Sequence, residues 1–388
     1  MLNQVIYVAE PKVGTPSIEV PRPTSHARNP LPAHWAHRNA LSVRPELAKA
    51  ERAPQNAAMR MRTVRFEGAG VELAGELIAP AGEGPWPAAV LLHGAREGEA
   101  RFYAAYAQRF AEAGVASLMF DRRGNGASSG QPDMNLFTLG SDGAAAHAFL
   151  RSQPEVDSAR TGLWGYSNGA WVAALAAGQA VAPGFLVLTG AAGVPPAQAE
   201  VFRRTEDLQR QGIDGPTVDA VRRTWQIVFD YVSGSAWADG WDAELTRHAA
   251  TIRADRRLDA LPVPDFVKAN PVLDSVPRVD SPMFAALKAH MGGTSPDMAY
   301  DPIPTLGALH CPVLVVLAEH DENVPVAASL LRFESVAQTN AAFRIEVIPG
   351  AGHTFDAGMA EYTNVPRPAS AFIPGYLELM GGWMAAQG

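Results

Sequence analysis

Gly162-Leu163-Trp164-Gly165-Tyr166-Ser167-Asn168-Gly169, continued by Ala-Trp-Val-Ala-Ala-Leu-Ala-Ala-Gly over 170–178, is the most informative stretch of this 388-residue chain. The apolar residues Gly162–Trp164 read as the end of a buried strand, and the run from Asn168 reads as a helix. Only a very tight turn can join the two. Such a turn strains the serine backbone and requires small residues two positions away on each side, where Gly165 and Gly169 stand. Ser167 is thereby presented at a helix N-terminus, where the macrodipole favours developing negative charge.

The same alternation extends outward. Thr63–Glu67 and Val71–Ile78 alternate around a short glycine-containing link and read as a hairpin. Short continuous apolar runs follow at Ala88–Leu92, Ala116–Phe120, Gly162–Trp164, Phe185–Leu188, Val313–Leu317 and Phe343–Ile348. Strands buried on both faces have this pattern. Helical stretches at Arg101–Glu112, Gly143–Arg151 and Asn168–Ala177 separate several of them. The expected fold is α/β, with a mostly parallel central sheet flanked by helices. About 120 residues separate Leu188 from Val313, too many for a simple crossover. They carry helical patterns near Ala197–Gln211, Pro216–Tyr231 and Asp242–Arg253, and read as a helical cap inserted after strand six. The expected divisions are an arm over 1–62, a core over 63–190 and 306–388, and the cap over 191–305.

The chain is 47% hydrophobic and 19% charged, with a formal net charge of −8. A mildly acidic body supplies no electrostatic reason to bind nucleic acid or an anionic membrane. Cys311 is the single cysteine, so an intramolecular disulfide is impossible. The start, MLNQVIYVAEPK, lacks the basic and long apolar regions of a secretion signal, although a trimmed chain would look the same. No apolar run reaches the length of a membrane span. A cytoplasmic protein is expected. Residues 1–62 carry nine Lys/Arg and four Asp/Glu, about +5, leaving about −13 for the remainder. Prolines at 11, 16, 21, 23, 30, 32, 45 and 54 disfavour long elements there, though Ala40–Ala53 fits a short helix. This basic arm reads either as a floppy leader or as a segment packed on the acidic body or on a second subunit, so a homodimer is possible.

A serine hydroxyl needs a base at neutral pH. His353 lies in Pro-Gly-Ala-Gly-His-Thr-Phe over 349–355, just after the last strand, where it can reach over Ser167. His93, His310 and His320 are less well placed. His34 and His37 have a metal-like spacing without a convergent third ligand, and no metal or organic cofactor is implied. The orienting carboxylate is expected at Asp321, in Ala-Glu-His-Asp-Glu-Asn-Val-Pro over 318–325. Glu319 and Glu322 are chemically eligible neighbours, and the Asp-x-x-Val-Pro spacing favours Asp321. The residues Leu188–Val194 offer no earlier carboxylate. Backbone N–H groups of Asn168 and Ala95 are the expected oxyanion donors. Arg96 reads either as a loop ion-pair partner or as a contact for an acidic substrate group. The trio Asp121-Arg122-Arg123, followed by Gly124-Asn125-Gly126, reads as a structural loop.

These segments resemble a bacterial capped carboxylesterase family of α/β hydrolases, related to serine aminopeptidases and prolyl-oligopeptidase-like hydrolases. The resemblance runs from about Val64 to the C-terminus. It rests on Pro-Ala-Ala-Val-Leu-Leu-His-Gly over 87–94, Phe-Asp-Arg-Arg-Gly-Asn-Gly-Ala-Ser over 120–128, the serine turn, and Tyr-Asp-Pro-Ile-Pro over 300–304. Family turns often read G-H-S-x-G-G, where this chain has Tyr166 and Ala170. The resemblance implies an α/β-hydrolase fold and cleavage of a small-molecule carboxylic ester by a Ser167–His353–Asp321 triad. Arg96, Tyr166, Trp225 and Tyr231 are candidate substrate contacts, and Phe229, Trp237 and Trp241 also fall in the cap. A peptidase using Glu206, Asp207, Asp230 or Glu244 to bind an amine, a lactone or thioester hydrolase, and a non-catalytic binding protein are the alternatives.

Overall fold

The short apolar runs become the strands of one eight-stranded sheet in the computed structural model. The structure describes residues 59–95, 98–180, 183–233, 240–260, 295–357 and 366–387. The elements of the sheet-bearing unit are β1 (Arg60–Glu67), β2 (Glu72–Ala79), β3 (Trp86–Leu92), α1 (Ala104–Glu112), β4 (Ala116–Phe120), α2 (Leu136–Arg151), β5 (Val156–Tyr166), α3 (Asn168–Gln179) and β6 (Leu186–Thr189). Three helices follow: α4 (Pro196–Arg210), α5 (Pro216–Val232) and α6 (Trp241–Ala254). The sheet unit resumes with α7 (Pro302–Gly307), β7 (Val313–Ala318), α8 (Val326–Ala337), β8 (Phe343–Ile348) and α9 (Tyr376–Ala385).

The strand order is β1-β2-β4-β3-β5-β6-β7-β8. β1 and β2 form the expected hairpin and join β4 antiparallel, while every pair from β4 to β8 is parallel. All residues of β4, β6 and β7 are buried, which is why those segments read as apolar runs, interrupted only by Ser117 and Thr189. The chain passes from β3 to β4 on one side, then to β5 on the other. The order therefore reverses between β3 and β5, and their C-terminal ends flank a topological switch point where open α/β sheets hold their ligands. One face of the sheet is filled by Trp164, Tyr106, Phe110, Phe355, Tyr376 and Met380.

Three elements differ from expectation. The arm was expected to reach residue 62, but β1 already begins at Arg60. The helix expected from Gly143 starts at Leu136, capped by the Asn135 side chain, which accepts from the N–H groups of Phe137 and Thr138. The helix expected from Arg101 opens with a 3-10 turn over Ala100–Tyr103 before α1. The segment Ala40–Ala53 lies outside the described residues, as does the His34–His37 pair.

The chain divides into two compact units, one of them containing Pro196–Tyr300. In that unit α5 presents Val218, Val221 and Val228, and α6 presents Leu245, Ala249 and Ile252, at helical spacing to a common core. Arg204 is buried on α4, ion-paired to Glu200 and lying 4.2 Å over the Trp225 ring. Among the described residues no helix is long and apolar enough to cross a membrane.

Candidate active site

β5 ends at Tyr166 and α3 begins at Asn168, so Ser167 alone makes the turn. Its backbone sits at φ 55°, ψ −120°, a region that an L-residue occupies only when its surroundings enforce it. Two hydrogen bonds do so. The Ser167 N–H donates to the Thr189 carbonyl at the end of β6 (2.9 Å), and the Ser167 carbonyl accepts from Ala170 N–H (2.8 Å). The flanking glycines are steric necessities. A Cβ on Gly165 would lie 2.1 Å from the Gly169 carbonyl oxygen, and one on Gly169 would lie 2.2 Å from the Leu92 carbonyl oxygen.

The partners of Ser167 come from the C-terminal ends of β7 and β8. The Ser167 Oγ lies 2.9 Å from His353 Nε2, and His353 Nδ1 lies 2.9 Å from both carboxylate oxygens of Asp321. His353 and Asp321 are buried, so their pairing is little screened. Asp321 is itself locked by its own turn, its Oδ1 accepting from the N–H groups of Asn323 and Val324, each at 2.9 Å. A carboxylate at Nδ1 selects the tautomer that donates there, which leaves the Nε2 lone pair to accept the serine proton. Of the three eligible carboxylates, only Asp321 meets the imidazole. Glu319 accepts from Gly350 N–H at 2.8 Å, and Glu322 accepts from the His353 backbone N–H at 3.1 Å.

Asn168 is the first residue of α3, whose leading N–H groups have no intrahelical acceptor. Ala95 is half-buried in the loop after β3, the neighbour of β5 in the sheet. That loop is held from two sides: Gly94 N–H donates to Tyr103 Oη (2.7 Å), and the Ala95 carbonyl accepts from the buried Arg122 (3.2 Å). The His93 ring packs at a tilt against Tyr103 and Phe120, with ring centroids 4.9 and 5.6 Å away. Burial, and then the Arg122 charge, hold its pKa well below the ordinary histidine value, so it stays neutral.

Tyr166, expected at the substrate, is instead buried behind His353. Its hydroxyl donates to the His353 carbonyl at 3.2 Å, and the two rings lie 5.5 Å apart. Tyr166 follows Trp164 by two positions in β5, so its side chain lies on the same packed face of the sheet. Trp225 stacks on Phe229 and Arg204 inside the helical unit. Tyr231 lies at the end of α5, with its side chain outside the described residues, as is Arg96. His310 and His320 are exposed, and the Cys311 thiol is pushed up to about 11 by burial. Among the described residues no group of His, Cys, Asp and Glu could hold a metal ion. Sequence reading missed Arg122 as the anchor of the Ala95 loop, and missed the separate tasks of Glu319 and Glu322. The Asp121-Arg122-Arg123 trio was the available signal for the first.

The sequence model of the X-Pro dipeptidyl-peptidase (S15) family matches residues 69–285, more than half of the chain, including the serine turn. The chain belongs to the S15 family. This S15 chain is 37% identical over 111 residues to the thiohydrolase apmlB of Arthrinium phaeospermum, covering 28% of this chain and 36% of that protein. It is 35% identical over 108 residues to the quorum-quenching protein AidA of Acinetobacter baumannii, covering 27% of this chain and 36% of that one. The matched region thus spans about a third of the length of these curated relatives. Among solved structures, DcsB in complex with its substrate analogue is similar in fold, with a TM-score of 0.50 at 19% identity, covering 84% of this chain and 99% of that one. The S15 chain has the α/β-hydrolase fold, with its mostly parallel sheet flanked by helices.

Proposed function

We propose that this protein is a serine hydrolase that cleaves carboxylic esters through an acyl-enzyme on Ser167. The observation that carries the reading is the continuous contact from Ser167 Oγ to His353 Nε2 (2.9 Å) and from His353 Nδ1 to Asp321 (2.9 Å). Ser167 Oγ attacks the ester carbonyl while Nε2 takes its proton. Asp321 stabilises the imidazolium that forms and holds the ring in place. The carbonyl oxygen becomes an oxyanion, held by the N–H groups of Asn168 and Ala95. The imidazolium then returns the proton to the departing alkoxide, and the alcohol leaves. Water, deprotonated by His353, attacks the acyl-enzyme and releases the acid with Ser167 restored.

The S15 match and the serine turn support hydrolysis at a carbonyl. A second reading, thioester hydrolysis, is favoured by the 37% identity to a thiohydrolase. The same residues perform it, with a thiolate leaving instead of an alkoxide. A p-nitrophenyl ester series from acetate to laurate, acyl thioesters followed by thiol release, and aminoacyl-p-nitroanilides separate these readings in one experiment. Ester turnover lost in Ser167→Ala supports the proposal. Thioester turnover far above ester turnover selects the second reading, and anilide turnover above both selects a peptidase. A wild type that turns over none of these, and takes up no fluorophosphonate, refutes them all.

A further inference from the structure

The proposed chemistry uses one of three neighbouring carboxylates, and the other two accept from backbone N–H groups beside it. Their geometry follows from how the parallel ladder of β7 and β8 ends. Regular pairing runs to Ala318 opposite Ile348. It continues into the loops through Glu319 N–H to the Ile348 carbonyl (3.2 Å) and His320 N–H to the Ala351 carbonyl (2.8 Å). Gly350, at φ 69°, then turns its chain away, and the N–H groups of Gly350 and His353 need acceptors that no strand offers. Side chains from the facing loop supply them. Glu319 takes the first at 2.8 Å and Glu322 the second at 3.1 Å. Position 352 is glycine, and a Cβ there would stand 3.3 Å from the Glu322 carboxylate, a tight contact that would press on it.

We infer that Glu322 is a positioning residue for His353: its carboxylate holds the histidine backbone so that Nε2 meets Ser167. This inference rests on the proposed triad. His353 is buried, and a buried N–H without an acceptor is costly, so the carboxylate has a strong reason to stay on it. Three bonds then fix one residue from three directions. Asp321 holds Nδ1, Glu322 holds the backbone N–H, and Tyr166 Oη holds the carbonyl at 3.2 Å. Without Glu322, the His353 N–H loses its acceptor, and the backbone that carries the imidazole is held less firmly at that point. A displacement of about 1 Å in a catalytic group costs up to about 100-fold in rate.

The test compares Glu322→Ala and Glu322→Gln on a p-nitrophenyl ester, with Ser167→Ala as control and thermal melts on each. Glutamine keeps an acceptor oxygen for the His353 N–H, and alanine does not. Glu322→Ala is expected to lower kcat about 10- to 100-fold with KM changed less than about threefold. Glu322→Gln is expected to return kcat to within about threefold of wild type, a rescue that a loss of bulk packing would not show in this pattern. If the alanine protein does not fold, Glu322→Met, of similar volume and without a strong acceptor, takes its place. Wild-type kcat in Glu322→Ala or Glu322→Met, or a glutamine variant no better than alanine, overturns the inference. Turnover surviving in Ser167→Ala overturns the triad reading itself, so the two failures are distinguishable.

Discussion

Gly165 and Gly169 face each other across the Ser167 turn so closely that a Cβ on the first would lie 2.1 Å from the carbonyl oxygen of the second. Only residues without a side chain allow that approach, which sets β5 and α3 at the angle that exposes Ser167. Gly165→Ala is therefore expected to cost about 2–3 kcal/mol, measured as a shift in the urea midpoint, and to remove ester turnover in the protein that remains folded. Gly382 in α9 is the matching control, since a Cβ there meets nothing within 4 Å. Gly382→Ala is expected to leave activity intact and to stabilise by about 0.5–1 kcal/mol.

Asp321 does two things with one carboxylate: it caps its own turn at Asn323 and Val324 and orients His353. An asparagine in its place would keep an oxygen for the turn but present an amide N–H to the imidazole, favouring the wrong tautomer. Asp321→Asn is expected to keep its melting temperature within a few degrees of wild type while kcat falls about 10⁴-fold. Steady-state kinetics beside a thermal melt check both halves.

Arg122 joins the Ala95 carbonyl to the sheet and lowers the pKa of His93. Arg122→Met is expected to lower kcat about tenfold or more with little change in KM, because the Ala95 loop loses its anchor. The His93 pKa should rise but remain below its ordinary value, because burial is the larger cause. Kinetics and an NMR titration of the His93 ring read the two effects separately.

His93 and His147 are both buried, and both pKa values are lowered below the ordinary 6.5, chiefly by burial. The folded protein therefore keeps them neutral where the unfolded chain takes up protons. Stability from these two groups is fully present above pH 6.5 and declines as pH falls below it toward their folded values. Each contributes a slope of at most about 1.4 kcal/mol per pH unit in that window. Urea unfolding at about pH 8, 7, 6 and 5 measures it. A flat profile below the ordinary histidine pKa would contradict the burial of both rings.

Much of the architecture was legible because strands buried on both faces need contiguous apolar residues. β7 is an unbroken apolar run for that reason, β4 is one but for Ser117, and both were readable within a residue. The start of α2 was not. The helix was expected only from Gly143, yet it runs through Gly140, where a Cβ would lie 2.9 Å from Leu175, as one on Gly143 would lie 3.0 Å from Ala176. They are glycine because α2 packs tightly on α3, a fact that no local pattern carries.

The serine turn, with its strand and helix, was determined by the sequence alone, because it depends on the residues immediately around it. Which carboxylate meets the imidazole, and that Tyr166 faces the core behind His353, were decided only by the tertiary structure. Glu319, Asp321 and Glu322 are equivalent in chemistry and lie within four positions of one another. Only the place where the β7–β8 ladder stops, with His353 32 residues beyond Asp321 along the chain, directs one of them to the imidazole and the other two to backbone N–H groups.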